Sequence, residues 1–499
     1  MTATRIAIDP ARPVGRLDRM VFGGFVEHLG RCVYGGLYEE GSPLSDDRGF
    51  RKDVLGLLRE LRMGILRWPG GNFVSNYHWK DGIGPRDQRP RRPELAWGGE
   101  ESNRFGTDEY LAYCAELGAE PYICLNMGTG TLSEALDWVE YCNGTGDTYW
   151  ARQRRTNGRK VRYWGLGNEM YGDWQVGALT AEEYVREASR WARAIRMLDP
   201  HARLVSCGMN GWNEWDRVVI DGMAGLVDYH SLHIYTGSED YWTNVLAPHQ
   251  AERAIDYART LIKRAAYRRK LATPPRIAYD EWNVWYRQMT GALEERYDFT
   301  DALAVATYLN IFVRNCDWVR IANLAQMVNA IAPIVTSPEV ATVQPIWYPV
   351  LLHAQAALDI AVDVHVTGPV IGPDLAAGPS RWPHRVTDLG PFTLVDAAAS
   401  VSANNVSANT SAAGRVAVTL VNRSPDETVT AEVVLRDYAF DGTAVIRTVT
   451  ASSRERSRVL PDVATAHLEE GSVTTANDRV VIALPPQSFT VLEAALTGR

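Results

Sequence analysis

Short apolar or β-branched runs alternate with amphipathic stretches over the first 330 residues of this 499-residue chain. Each run ends in polar or glycine-rich positions, which is the pattern of strand–helix units. Eight strands are predicted in this region, at residues 21–28, 64–70, 120–127, 161–169, 203–209, 226–235, 276–283 and 319–326. Between them lie helical stretches such as 181–199, with apolar residues at three- and four-residue spacings after a candidate cap at Thr180.

Eight strand–helix units in series favour a closed (β/α)8 TIM barrel over an open, doubly wound sheet. An open sheet of that kind normally carries a glycine-rich phosphate turn near its start, and the sequence has none there. The predicted fold class is therefore α/β, with the barrel spanning residues 17–375.

The pattern changes in the last third of the chain, where short alternating strands at 415–421, 430–435 and 479–484 predict an all-β, jelly-roll-like sandwich over residues 376–499. Residues 4–9 also alternate, so residues 1–16 are predicted to form an N-terminal strand that pairs with this sandwich. The stretch 397–414 is rich in Ser, Ala and Asn, and we expect a loop or flexible insertion because this composition does not bury a face.

Composition narrows the class of protein. With 46% apolar residues, 22% charged residues and a net charge of −8, the chain is typical of a folded protein, and the acidic balance argues against nucleic-acid binding. No run of about 18 apolar residues predicts a membrane span. The start of the chain lacks the apolar region of a secretory signal, so we expect a cytoplasmic protein. The six cysteines are scattered singly and are expected to be buried thiols.

Polar residues close most of the predicted strands, and in a (β/α)8 enzyme the active site lies at those strand ends. Three carboxylates, Glu27, Glu169 and Glu281, belong to this set. Because burying a carboxylate costs free energy unless it is used or paired, the three predict a functional site. The alternative is that each is a structural salt-bridge partner.

Glu169 and Glu281 end strands that are three apart around the barrel, so they can face each other across the central pocket. Glycoside hydrolases typically use two carboxylates that face each other across the scissile bond. Spacing in the sequence gives no distance, so it leaves retention and inversion of configuration both open. Asn168 is placed to hydrogen-bond a sugar hydroxyl, and Tyr235 could donate to a carboxylate.

A metal-dependent reaction is a weaker interpretation. His28, His230 and His233 could ligate zinc with Glu27, but no His-x₃-His helix or cysteine cluster supports this, and positions 230 and 233 fall on opposite faces of a strand. We therefore expect no metal and no cofactor.

Six stretches in order resemble glycoside hydrolase family 51, the α-L-arabinofuranosidases. They are GGFVEHLGRCVYGG (23–36), LRWPGGNFVS (66–75), WGLGNEM (164–170), SLHIY (231–235), DEWNVWY (280–286) and LAQMVNAIAP (324–333). The resemblance covers the whole barrel, and the family also carries a C-terminal sandwich.

The resemblance implies Glu169 as general acid/base and Glu281 as nucleophile, with retention of configuration. The residues it places around the arabinofuranose, together with His233 from the same strand ends, are the predicted substrate-binding set: Glu27, Asn72, Asn168, His233, Tyr235, Gln326, Trp97 and Trp285. For this scheme we expect Glu281 to be ionised and Glu169 to start protonated, with its pKa raised by burial and nearby charge.

The expected substrates are arabinofuranosyl oligosaccharides derived from arabinan or arabinoxylan, cleaved at the terminal non-reducing residue. A homo-oligomer is also implied, since family members commonly form hexamers. Two alternatives remain at this point. One is β-D-xylosidase or endo-β-1,4-glucanase activity on the same barrel, and the other is a carbohydrate-binding protein without turnover.

Overall fold

The computed structural model describes residues 2–154, 160–286, 293–371, 386, 388–403, 414–451 and 466–498. Eight parallel strands close into a barrel in chain order. They are Gly23–Phe25, Ile65–Trp68, Glu120–Leu125, Tyr163–Leu166, Arg203–Ser206, Tyr229–Thr236, Arg276–Val284 and Val319–Ala325. Each lies within a predicted strand or extends one residue beyond it, so the predicted barrel is confirmed.

Helices surround the barrel and connect its strands. The α-helices of the described residues are Lys52–Glu60, Thr107–Leu117, Leu132–Asn143, Tyr149–Gln153, Ala181–Leu198, Glu214–Met223, Tyr241–Leu246, Gln250–Arg269, Phe299–Arg314 and Trp347–Ala356. The predicted helix at 181–199 is present and begins with a capping box, in which Thr180 and Glu183 each accept a hydrogen bond from the other's backbone N–H. No helix in the described part of the chain is both long and apolar enough to cross a bilayer.

The second module is a nine-stranded sheet built mainly from the C-terminal third of the chain. Its order is Ala466–Thr474, Tyr438–Ala451, Ser488–Gly498, Gly414–Asn422, Val395–Val401, Ile360–Thr367, Thr2–Arg16, Val429–Leu435 and Arg479–Leu484. Strands from both ends of this order contribute to one apolar core, so the sheet curves over itself. The prediction that the N-terminal strand pairs with this module is confirmed.

The barrel and the sheet share a second apolar cluster, centred on the helix Phe299–Arg314 and the sheet residues Val421, Phe489 and Val491. A buried carboxylate joins the two modules there. Asp396 accepts hydrogen bonds from Asn310 at 2.8 Å and Arg314 at 3.0 Å. The ion pair and the hydrogen bond together offset the free-energy cost of desolvating this buried carboxylate.

The loop predicted at 397–414 is wrong for its first residues, because Val395–Val401 is a fully buried strand. Its small side chains face two cores at once: Ala397 and Ala399 belong to the core of the sheet, and Ala398 belongs to that of the barrel. Alanine and serine fit a strand that is enclosed on both faces. Residues 404–413 of the same stretch lie outside the described residues, as does the predicted domain division at 375/376.

Candidate active site

The carboxyl ends of the barrel strands meet at one face, and the predicted site residues lie there in two groups of contacts, one around Glu281 and one around Glu27. Four of the ten, Glu27, Asn168, Glu281 and Gln326, are at most 5% exposed. The remaining six are His233, which is 9% exposed, and the half-buried Asn72, Trp97, Glu169, Tyr235 and Trp285. The ten residues predicted from the sequence therefore lie buried or half-buried around this face of the barrel.

Glu281 is held by a donor on each carboxylate oxygen. Arg67 Nη1 donates to Oε1 at 2.6 Å, and the Tyr235 hydroxyl donates to Oε2 at 2.8 Å. Both donors stabilise the negative charge of the carboxylate, and together they fix its orientation. The predicted hydrogen bond from Tyr235 is confirmed.

The strand that carries Glu281 has a β-bulge just before this residue. A bulge adds one residue to a strand and re-aims the side chains beside it. Asp280 and Glu281 both form ion pairs with Arg67 inside the barrel, at 3.8 and 2.6 Å, whereas the rings of Tyr279 and Trp282 pack against Phe312 of a surrounding helix. Two adjacent carboxylates therefore reach the same pocket.

Asp280 is a functional residue that the sequence analysis did not single out. It accepts a hydrogen bond from the Tyr122 hydroxyl at 2.7 Å and another from the Ser231 hydroxyl, and it pairs with His233 Nε2 at 3.2 Å. Burial alone would raise the pKa of Asp280, but the Arg67 charge and the His233 hydrogen bond hold it well below the usual range. Asp280 is therefore an anion that orients the His233 ring.

Arg67 is the second residue that was missed as part of the site. Its side chain is 1% exposed, and besides Glu281 it binds Asn168 Oδ1 through Nη2 at 2.6 Å. The signal in the sequence is a guanidinium in an otherwise apolar strand, since the strand reads Ile-Leu-Arg-Trp and is buried throughout. An arginine in that position must find a buried anion.

Glu169 lies beyond the end of its strand, and its backbone adopts a left-handed conformation with φ 44°. This region is uncommon for residues other than glycine and marks local strain that the surroundings must hold. The carboxylate contacts His233, with Oε1 lying 3.0 Å from Nδ1. The side chain remains 17% exposed, so it faces both the pocket and solvent.

The expected direction of the pKa shift of Glu169 is wrong. Burial would raise the pKa of Glu169, as expected, but the hydrogen bond and charge of His233 outweigh it, and the pKa is lowered. Conversely, burial would lower the pKa of His233, but the Glu281 charge and the hydrogen bonds to Asp280 and Glu169 raise it to about 10. The hydrogen bond between the two groups therefore favours an imidazolium beside a carboxylate.

Glu27 lines the pocket beside Trp97 and Gln326. Its Oε1 accepts hydrogen bonds from the Phe73 backbone and the Trp97 indole, both at 3.0 Å, and its Oε2 accepts one from Gln326 at 2.8 Å. Burial nevertheless raises the pKa of Glu27 to about 7. A Cβ added at Gly71 would lie 3.1 Å from this carboxylate, a tight contact that glycine avoids.

The other predicted binding residues complete the pocket. Asn168 Nδ2 donates to Asn72 Oδ1 at 3.5 Å. The Trp285 ring lies edge-on to Tyr235, with centroids 5.3 Å apart. Indole and phenol rings at the rim offer flat apolar faces for a sugar, and the amides offer hydrogen bonds for its hydroxyls.

The decisive distance is the one between the two facing carboxylates. One oxygen of Glu169, one oxygen of Glu281 and Nδ1 of His233 all lie within 4.8 Å of one another. A closed (β/α)8 barrel with two carboxylates this close at its strand ends is the arrangement of a glycoside hydrolase.

Comparisons with known proteins identify the family. The model of the α-L-arabinofuranosidase 1 domain matches residues 57–253, and that of the α-L-arabinofuranosidase C-terminal domain matches residues 280–488. α-L-Arabinofuranosidase C of Emericella nidulans is 46% identical over 387 residues, which are 73% of this chain and 77% of the fungal one.

Two bacterial proteins agree with this assignment. The intracellular exo-α-(1→5)-L-arabinofuranosidase of Halalkalibacterium halodurans is 39% identical over 74% of this chain and 78% of its own. The thermostable GH51 α-L-arabinofuranosidase of Thermotoga petrophila is 37% identical, superimposes with a TM-score of 0.87, and is covered in full by 98% of this chain. The chain belongs to glycoside hydrolase family 51, the α-L-arabinofuranosidases.

Membership in this family confirms the fold and the enzyme class predicted from the sequence. The protein is a glycosidase, and the relatives support the arabinofuranosidase interpretation over the xylosidase or endo-β-1,4-glucanase alternative.

Proposed function

We propose that the protein is a retaining, exo-acting α-L-arabinofuranosidase. It releases terminal non-reducing arabinofuranosyl residues from oligosaccharides of arabinan or arabinoxylan. The observation that carries retention is the separation of at most 4.8 Å between carboxylate oxygens of Glu169 and Glu281. Retaining enzymes hold their two carboxyl groups about 5–5.5 Å apart, whereas inverting enzymes need about 6.5–9.5 Å to admit a water molecule.

In the proposed mechanism Glu281 attacks the anomeric carbon while Glu169 protonates the departing oxygen, so the glycosidic bond breaks as the glycosyl-enzyme bond forms. The proton has a short path to Glu169, because His233 Nδ1 lies 3.0 Å from its carboxylate. In the second step Glu169 takes a proton from water, which attacks the same carbon and releases Glu281.

The remaining walls are proposed to bind the arabinofuranose. Glu27, Asn72, Asn168 and Gln326 offer hydrogen-bonding groups for its hydroxyls, and Trp97 and Trp285 enclose its apolar faces. His233 and Tyr235 act mainly through the two carboxylates that they contact.

We also propose a cellular location and an oligomeric state for the enzyme. The relative from Halalkalibacterium halodurans carries the name intracellular, which supports a cytoplasmic location. A homo-oligomer, a hexamer in the pattern of the family, is proposed on the resemblance alone. Sedimentation velocity on the purified full chain tests it.

The reaction itself is tested by comparing aryl α-L-arabinofuranoside, β-D-xylopyranoside and β-D-glucopyranoside in the presence of a chelator. Proton NMR follows the first-formed anomer. We expect fast release of arabinose with retained configuration and no loss of rate to the chelator. Inversion would rule out Glu281 as nucleophile, and faster cleavage of either pyranoside would rule out the proposed sugar.

A further inference from the structure

We infer that Glu169, His233 and Glu281 also form a binding site for a divalent transition-metal cation such as Zn²⁺, which inhibits the enzyme. His233 Nδ1 lies 3.0 Å from Glu169 Oε1 and 3.5 Å from Glu281 Oε2. Tetrahedral zinc with bonds of about 2.0–2.1 Å holds neighbouring ligand atoms about 3.3–3.5 Å apart. The ligand atoms of the three side chains all lie within 4.8 Å of one another. The two carboxylate oxygens therefore need to approach each other by at most about 1.5 Å for the three side chains to share one ion.

The orientation of the histidine ring supports the site independently. His233 Nε2 lies 3.2 Å from Asp280 Oδ1, and Asp280 is itself fixed by the hydroxyls of Tyr122 and Ser231. When neutral imidazole donates its Nε2 proton to a carboxylate, Nδ1 presents its lone pair to the pocket. Metal-binding histidines are usually held by a carboxylate in this way, which fixes the ring and raises its basicity.

The donor set selects the metal. One imidazole nitrogen and two carboxylate oxygens suit Zn²⁺ or Cu²⁺ rather than Mg²⁺ or Ca²⁺, which prefer oxygen ligands alone. Arg67 opposes a cation, because Nη1 lies 2.6 Å from Glu281 Oε1. Its single positive charge is outweighed by the three carboxylates Asp280, Glu281 and Glu169. On binding, the metal replaces the proton on His233 Nδ1, which leaves to solvent.

Such an ion blocks turnover instead of supporting it. Its ligands are the proposed nucleophile and the proposed acid/base, so an enzyme that holds the ion can neither attack the sugar nor protonate its leaving group. The ion and the sugar compete for the same space. This inference depends on the geometry of the three side chains and not on which sugar the pocket accepts.

The test is calorimetric titration of metal-free, full-length protein with zinc chloride alone. We expect one site, with affinity at least tenfold weaker in Glu169→Gln and about tenfold weaker in Asp280→Asn, as for loss of a group that orients a ligand. His78→Gln is the matched control, because it removes another histidine–glutamate pair, with Nδ1 lying 3.1 Å from Glu134 Oε1 at the surface. Its zinc affinity should equal that of the wild type.

Added arabinose should weaken zinc binding, and zinc should inhibit hydrolysis competitively. Equal zinc affinity in wild type and Glu169→Gln would overturn the site, as would a loss of affinity in His78→Gln alone. Circular dichroism checks that each variant is folded. If Asp280→Asn does not fold, the zinc affinity of Glu169→Gln alone tests the site. Calorimetry reads binding directly, so failure of the proposed arabinofuranoside reaction would not be mistaken for failure of the metal site.

Discussion

The two carboxylates that face each other in the pocket lie in unlike surroundings. Glu281 is part of a barrel strand, its side chain is 7% exposed, and it has a donor on each of its oxygens. Glu169 lies past the end of its strand in a left-handed backbone conformation, and its side chain is 17% exposed. Its carboxylate contacts a group that can itself give up a proton, His233.

This difference matches what the two proposed roles require. A nucleophile must remain an anion and stay aligned with one carbon atom, which two fixed donors inside a strand achieve. A general acid/base must change its protonation state twice and reach both a leaving group and water, which requires an exposed edge and a proton-carrying partner. The pocket thus separates a rigid side from a side that exchanges protons.

The largest effect is expected from Glu281→Gln, which keeps the shape of the Glu281 side chain and removes its charge. Loss of a covalent nucleophile should lower kcat by on the order of 10⁵-fold. Steady-state rates on an aryl arabinofuranoside measure this, with Glu100→Gln, an exposed glutamate whose side chain is 62% accessible, as the control. A Glu281→Gln rate within tenfold of the wild type would show that the rigid side is not the nucleophile.

The next largest effect is expected on the proton-exchanging side, in Glu169→Ala. A general acid contributes about 10²–10⁴-fold, so hydrolysis of substrates with poor leaving groups should fall by that factor. An activated aryl substrate needs no proton in the first step and should still form the glycosyl-enzyme. Rates on the two kinds of substrate, with and without azide, measure the difference.

Azide is small enough to occupy the space that the Glu169 side chain leaves, and it attacks without a general base. It should therefore restore turnover of the activated substrate and give a glycosyl azide of retained configuration. The same addition to Glu281→Ala should yield the opposite anomer. If azide fails with Glu169→Ala, or if the two variants exchange products, the two roles are assigned the wrong way round.

The barrel was predictable because each of its strands is an apolar run that ends in polar residues, and the closed sheet places those ends at one face. Glu27, Glu169, Glu281 and Gln326 all followed from this rule. The strand Val395–Val401 did not, because its alanines read as a loop unless one knows that it is enclosed by two cores.

Residues inside the strands were harder to predict. Arg67 lies within a buried strand, and its role depends on Glu281 being close in space. Asp280 reaches the pocket only because of the β-bulge beside it, and such a bulge has no clear signature in one sequence. The protonation of Glu169 depends on the ring of His233, a distance that no pattern of residues contains.

The smallest predicted effect concerns the third carboxylate, Glu27, whose pKa is shifted in the direction opposite to that of Glu169. Burial raises its pKa to about 7 from the usual 4.5, so the folded protein binds this proton more tightly than the unfolded chain does. The resulting stabilisation is complete below pH 4.5 and is lost as pH rises through 7.

A glutamine at position 27 cannot titrate. Relative to the wild type, the free energy of unfolding of Glu27→Gln should therefore rise by about 3 kcal/mol between pH 4.5 and pH 8. Urea unfolding of both proteins at four pH values in this interval measures the difference, with Glu100→Gln again as the control. A difference that does not change with pH would mean that Glu27 is ionised throughout, and the hydrogen bonds from Trp97, Gln326 and Phe73 would then outweigh its burial.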